Sequence, residues 1–391
     1  MALTIRELIE QTRSKYRLKL LAGADSLDFV VTWVHMTEDT SVTEFFWGNE
    51  MVVTSGYTAQ SEEKLLHFID VLEEKRCAGV VINVGKYINE VPSRVLDLCE
   101  ERHLPLLTMP WEMSITEFVR ECCSLIDKSS QNEEALADAV VSTILSPMGA
   151  GRQKERLTDY FHVEQGFTML ALWAELPAPL RNVLDQRSTL RLHTALRPFD
   201  FSYLIFRYQK RFLILLNQRD RQVSVQVSRR ILDTIHQNLP DLSVQIGVGE
   251  PVDALEQLAD TFHAAVSAQR RASLQGLDIV QFQDMGFYKL LYSVPDDSLL
   301  ESYYHEMMDP LLDHDRQTGS VYTETLFRYL LTDGSLQAVA AAMYTHRNTV
   351  GYRMGKIREL LGQDLDSQQQ RMPYLLAYHV GVILKLCEDL E

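Results

Sequence analysis

The stretch DGSLQAVAAAMYTHRNTVGYRMGKIRELLG, residues 333–362, carries the most definite pattern in the chain. Ser335 is a residue type that caps helix N-termini. Leu336, Val339, Ala340 and Met343 follow at i, i+3, i+4 and i+7, which is the apolar face of a short helix. A second helix can start at Thr345, another capping type, with Val350, Met354, Ile357 and Leu361 along one stripe. At about 100° per residue, Asn348, Thr349, Tyr352 and Lys356 share the opposite face, and Arg347 and Arg353 stand at its borders. Two short helices joined by a turn of a few residues match a helix-turn-helix. The outward residue types suit double-stranded DNA. Arg and Lys neutralise phosphates and read guanine edges, Asn pairs bidentately with adenine, and Thr and Tyr donate to phosphate or meet a thymine methyl. The competing reading of the same pattern is a solvated charged helix within a bundle.

Charge bears on that choice. The whole chain of 391 residues carries 38 basic and 54 acidic side chains, a net charge of −16, which lacks the basic character of many nucleic-acid binders. Between 335 and 362, however, Arg347, Arg353, Lys356 and Arg358 face Glu359 alone, so four minus one leaves +3. The acid excess belongs to the remaining regions, which would repel DNA and direct contact to this end.

Working outward, the length implies two to three compact units. An apolar fraction of 46% and a charged fraction of 24% are those of a globular chain, and no run approaches the roughly 20 apolar residues that a membrane span requires. The opening MALTIRELIEQTRSKYRLKL has no uninterrupted apolar core before a small-residue cleavage site, so a cytoplasmic protein without membrane association is expected. Cys77, Cys99, Cys122, Cys123 and Cys387 include no CxxC pair and read as reduced thiols, with one of the adjacent pair facing a core.

Residues 1–126 alternate amphipathic helices (TIRELIEQT, EKLLHFIDVLEEKRCAG, VPSRVLDLCEERH) with short apolar runs (EMVVTSG, VVINVG, LPLLTMP). That order predicts an α/β domain with a parallel sheet covered on both faces. Ligands in such sheets favour the loops beyond the carboxyl ends of the strands, here Thr54, Ser55 and Gly56, then Asn83 and Gly85, then Pro110 and Trp111. Each of these residues also reads as an ordinary strand-to-helix turn. Residues 127–155 form a connector, in which a helix over 129–146 aligns Leu136, Ala139, Val140, Thr143 and Ile144. That stripe can pair with a second copy or pack on its own neighbouring domain. Residues 156–285 run strand, helix, hairpin, helix, strand, helix, which predicts an α+β unit. Connecting helices over 286–324 lead to an all-α end at 325–391.

At HRNTVGYRMGKIRELLG the chain resembles the C-terminal helix-turn-helix of the PucR family of bacterial transcriptional regulators. His346, Arg347, Asn348, Thr349, Tyr352 and Arg353 stand at the motif's positions, as do Ile357, Leu360, Leu361 and Gly362. The family usually has larger residues at Gly351 and Gly355. Each glycine inside a helix costs roughly 1 kcal/mol relative to Ala, leaving this one less rigid. TIRELI, GNEMVVTSGY, CAGVVINVG and LPLLTMPWEMSITE are similar to the family's N-terminal sensory domain, and residues 156–285 resemble its middle domain, a relative of the GGDEF diguanylate cyclases.

The resemblance implies a ligand-responsive regulator, mostly an activator of catabolic or nitrogen-metabolism genes such as those for purine degradation or amino-acid use. His346, Arg347, Asn348, Thr349, Tyr352, Arg353 and Lys356 are the expected DNA contacts. Thr54, Ser55, Gly56, Asn83 and Trp111 are the expected effector site, from strand-end position alone. One such helix reads only a few base pairs, so a homodimer or larger homo-oligomer is expected. A cyclase needs glycines and carboxylates at the hairpin tip, and Tyr208, Gln209, Lys210, Arg211 and Phe212 offer neither. There is no P-loop, HExxH or GxSxG. IGVGEP at 246–251 is too short for a dinucleotide fingerprint, so Gly247 and Gly249 read as turn residues. No enzyme activity, cofactor or metal is expected. The histidines His35, His67, His103 and His263 lack paired ligand spacing. A protein-binding sensor or scaffold with an unused helix-turn-helix is the alternative.

Overall fold

The computed structural model describes residues 3–146, 151–174, 189, 191–237, 239–240, 242–292, 294, 297–387 and 390. These fall into two compact units, 1–282 and 283–391.

The first unit opens with α1 (Ile5–Tyr16), whose Thr4 and Glu7 cap each other reciprocally. Strands β1 (Lys19–Ala22), β2 (Trp33–Met36), β3 (Glu50–Thr54), β4 (Gly79–Val84) and β5 (Leu106–Pro110) assemble in the order β1-β5-β4-β3-β2. Helices α2 (Glu62–Glu74) and α3 (Ser93–Glu101) cross over between the central strands. β2 to β5 are parallel, but β1 pairs antiparallel with β5, so the sheet is mixed. Both faces are buried, which is why the central strands read as continuous apolar runs. Val52, Val80, Ile82 and Leu106 meet Leu65, Phe68 and Ile69 of α2 and Val95 of α3 on one face. Met51, Val53, Val81 and Leu107 meet Ile5 and Leu8 of α1 with Phe118 and Cys122 on the other.

Phe118 and Cys122 belong to α4, which runs without a break from Ile115 to Leu145. The expected domain border at 126/127 therefore lies inside a helix that starts fourteen residues before the expected 129. Ser114 accepts a hydrogen bond from the Glu117 amide at 3.3 Å and sets that start. Residues 147–150, which follow it, lie outside the described residues. The stripe Leu136, Ala139, Val140 and Ile144 is buried against the second sheet, so it packs on its own chain's next domain. Asp127, Lys128 and Ser130–Asn132 between the two contacts are exposed.

After α5 (Gly151–Tyr160), β6 (Thr168–Ala174), the hairpin β7 (Tyr203–Tyr208) and β8 (Arg211–Leu216), α6 (Arg221–His236), β9 (Val244–Val248), α7 (Leu258–Gln275) and β10 (Ile279–Gln281) give a sheet ordered β10-β9-β6-β8-β7. β10 adds parallel to β9 and the other pairs are antiparallel. The helix expected over LDQRSTLRLHTALRPF is described only at 189 and 191–196. Gly247 lies within β9 and is not a turn residue. A Cβ there would stand 2.1 Å from the Ala265 carbonyl oxygen, so glycine is what lets α7 press directly on the strand.

The second unit contains α8 (Tyr288–Tyr292), α9 (Asp297–Thr318), α10 (Tyr322–Leu331), α11 (Leu336–Ala342), α12 (Arg347–Leu361) and α13 (Gln368–Leu384), with no strand among its described residues. The protein is thus α/β, then α+β, then all-α. No described helix is long and apolar enough to cross a membrane. Cys122 is buried while Cys123 is half-buried, and burial pushes the Cys77 and Cys99 thiols up to about 12, which leaves them unreactive.

Candidate functional site

α11 begins as its sequence indicates, with the Ser335 hydroxyl accepting from the Ala338 amide at 3.3 Å. It ends in a turn where Tyr344 adopts a left-handed φ of 49° and is 99% exposed. The second helix starts one residue later than expected. His346 is its N-cap, its Nδ1 accepting from the Asn348 amide at 3.2 Å, and Thr345 lies in the turn. Val350, Met354 and Ile357 are buried and Leu361 is half-buried, so the stripe fixes the helix against α10 and α11.

That anchoring decides what the other face presents. His346, Arg347, Asn348 and Thr349 are exposed, as is Tyr352 at 65%. Arg353 and Lys356 are half-buried. All seven expected contacts therefore lie on α12 or its cap. The Arg353 guanidinium lies 4.0 Å from the Met343 sulfur. Lys356 donates to Glu359 at 2.6 Å, and this hydrogen bond raises its pKa, so its charge is secure at neutral pH. Arg358 is turned to Asp366 at 2.8 Å and does not join the group. Tyr344 was missed because a left-handed turn position usually signals Gly or Asn; its exposed ring next to the cap is the overlooked candidate.

The strand-end residues behave differently. Thr54, Ser55 and Asn83 are buried, and Asn83 sits within β4 and not beyond it. Its amide donates to the carbonyl oxygens of Met109 (3.3 Å) and Pro110 (2.9 Å). The carboxylate of Glu38, which the sequence did not single out, accepts from the amides of Ser55 (2.9 Å) and Tyr57 (3.0 Å) and from the Thr54 hydroxyl (3.2 Å). Gly56 has a φ of 73°, and a Cβ there would stand 2.3 Å from Ile88. Trp111 is 38% exposed and meets Tyr87 edge-on at 5.5 Å, with the Lys86 ammonium 4.8 Å above its ring. The five residues share the carboxyl end of the sheet, and of them Trp111 alone is exposed.

In the middle domain the hairpin turns through Gln209 and Lys210, both left-handed, at φ 49° and 65°. Arg211 donates to Gln269 at 2.9 Å, and its guanidinium lies 5.8 Å from the Trp173 ring. The described tip thus presents cationic and amide side chains where a phosphate-cradling turn would place glycine. No group of three or more His, Cys, Asp or Glu among the described residues could hold a metal ion.

Residues 7–126 match the Purine catabolism regulatory protein-like family (PucR), residues 155–270 the GGDEF-like domain, and residues 322–380 the PucR C-terminal helix-turn-helix domain. The chain belongs to the PucR family. Among relatives, the purine catabolism regulatory protein of Bacillus subtilis (strain 168) is 24% identical over 115 residues, covering 29% of this chain and 22% of that protein. The proline-responsive transcriptional activator PutR of the same organism is 23% identical over 145 residues, 36% of this chain and 35% of its own. The transcriptional activator PmfR of Paenarthrobacter nicotinovorans is 37% identical over 59 residues, 15% and 13% of the two chains. The chain therefore spans no more than about a third of the length of these relatives. The PucR helix-turn-helix match takes in α10 to α12 whole and most of α13, and so includes every candidate on the exposed face.

Proposed function

We propose that this PucR protein is a ligand-responsive regulator that binds double-stranded DNA through α12 and activates catabolic or nitrogen-metabolism genes, such as those for purine degradation or amino-acid use. The observation that carries the reading is the exposed run His346–Thr349 with Tyr352, held outward by the buried Val350, Met354 and Ile357. Asn348 and Arg347 supply base-edge chemistry there, and Arg353, Lys356 and the Tyr344 hydroxyl supply phosphate contacts. The activator names of the relatives support the direction of regulation. Two copies placing α12 about 34 Å apart on half-sites would give adequate specificity, so the functional unit is a homodimer or larger homo-oligomer. The middle domain is read as a non-catalytic coupler, because its hairpin tip lacks the glycines and acids that nucleotide cyclisation needs.

A metabolite would act by shifting a population. One arrangement of the first unit would be favoured, and α4, packed on both sheets, would carry the difference toward the paired helix-turn-helix modules. The test is binding to the DNA upstream of the protein's own gene across a salt series. The logarithm of affinity should fall with the logarithm of salt concentration by about 0.9 per phosphate contacted. Absence of binding at low salt sinks the reading and favours the scaffold alternative.

A further inference from the structure

Within the first unit a cleft of about 470 Å³ opens between two walls of different origin. One wall is the start of α1 and the segment before β2, with Glu7, Asp28 and Phe29; the other is the 191–203 segment of the middle domain, with His193, Arg197 and Tyr203. The volume is that of a small-molecule site. Its described lining carries three carboxylates, Glu7, Asp28 and Asp200, against one guanidinium, Arg197. The apolar lining includes Phe29, Val30, Phe199 and Phe201.

Two of the charged groups, Asp28 and Arg197, form a loose ion pair, and the Glu7 carboxylate accepts from the Thr4 amide and hydroxyl. Asp28 is held by Arg6 at 2.7 Å, and Arg197 reaches its other oxygen only at 3.4 Å while its guanidinium lies 4.8 Å above the Phe29 ring. A bond of that length is weak and readily exchanged for a better acceptor. His193 is buried at 5% exposure, with Nδ1 3.2 Å from the Tyr203 hydroxyl, and burial pushes its pKa down to about 4, so it stays neutral. The cleft therefore offers one cationic group for an acceptor, an acid excess for a cation, and aromatic walls for an apolar body.

We infer that this cleft binds a small zwitterion with an apolar side chain, of the α-amino-acid class, its carboxylate on Arg197 and its ammonium on the acidic wall. This deepens the proposed function, since it rests on the reading that the protein answers a small molecule, and it places that molecule away from the strand ends. Contact with both walls fixes their separation. Tyr160 donates to the Tyr203 carbonyl oxygen at 3.3 Å and packs on the core shared with α4, so the cleft is tied to the connector.

The test is thermal denaturation of the full chain, without DNA, with the apolar L-α-amino acids offered singly at millimolar concentration. 3-Phenylpropanoate and 2-phenylethylamine serve as single-charge probes. At least one amino acid should raise Tm dose-dependently, and neither single-charge probe should match it. Arg197→Ala should weaken the effective amino acid at least about tenfold, and Arg197→Lys should recover part of it. The unliganded Tm of each variant reports folding. The inference is overturned if no amino acid shifts Tm, if either single-charge probe does as well as the effective amino acid, or if a folded Arg197→Ala binds normally. Because DNA is absent, a protein that binds the amino acid but no DNA counts against the regulator reading alone. One that binds DNA but no amino acid counts against the cleft alone.

Discussion

The face of α12 and the strand ends of the first sheet are built from similar residues and use them in opposite directions. Asn348 and Thr349 are exposed on α12, whereas Asn83 and Thr54 are buried and spend their hydrogen bonds on the loops around them. Tyr352 stands clear at 65% exposure, whereas Trp111 leans on Tyr87 beneath Lys86. A polar side chain with unspent hydrogen-bonding capacity at a surface is available to a partner. One that satisfies a buried carbonyl or amide is structure, because leaving that group unpaired costs about 1–3 kcal/mol. The same residue types thus imply recognition in one place and loop architecture in the other, and exposure separates them.

The comparison breaks if the α12 substitutions cost stability or the strand-end ones do not. The largest effect is expected for the double variant Arg347→Ala and Asn348→Ala. At about 2 kcal/mol per lost contact, DNA affinity should fall about a thousandfold in a mobility-shift titration, with Tm nearly unchanged. Next comes acidification of the first unit. Burial holds His193 down to about 4 from its ordinary 6.5, so folding expels its proton. Its contribution is present above about pH 6.5 and is lost as pH falls toward 4, a difference of about 3 kcal/mol. Urea unfolding at neutral pH and near pH 4.5 measures it, and His193→Asn should flatten the difference. Third, Glu38→Ala removes the acceptor for Ser55, Tyr57 and Thr54 and should lower stability by about 2 kcal/mol without touching DNA affinity. The smallest is a gain: Gly355→Ala adds a Cβ that meets nothing within 4 Å and should stabilise the second unit by up to about 1 kcal/mol, read as a higher Tm.

What was legible in the sequence follows from how each element is stabilised. The central strands β3, β4 and β5 were readable because burial on both faces demands unbroken apolar runs. β1, β2 and β10, of four, four and three residues, lie at the sheet edges, and KLLA, WVHM and IVQ are too short to show a period. In α12 the buried stripe was legible from spacing, but the cap was displaced by one because His346 competes with Thr345 and capping depends on backbone angles that no spacing shows. The true start of α4 did leave a signal, Ser114 three residues before Glu117. The role of Glu38 left none: it lies sixteen residues from Thr54 and acts only once β2 and β3 are paired.

The unbroken course of α4 has a consequence of phase. With 3.6 residues per turn, one residue added in its bare middle, near Lys128, would turn everything downstream by about 100° while lengthening it by only about 1.5 Å. The stripe ending at Ile144 would then point away from the sheet it now covers. Seven added residues would return it to within about 20° of its present bearing. The helix therefore behaves as a keyed shaft, tolerant of length in near-whole turns and intolerant of fractions of one.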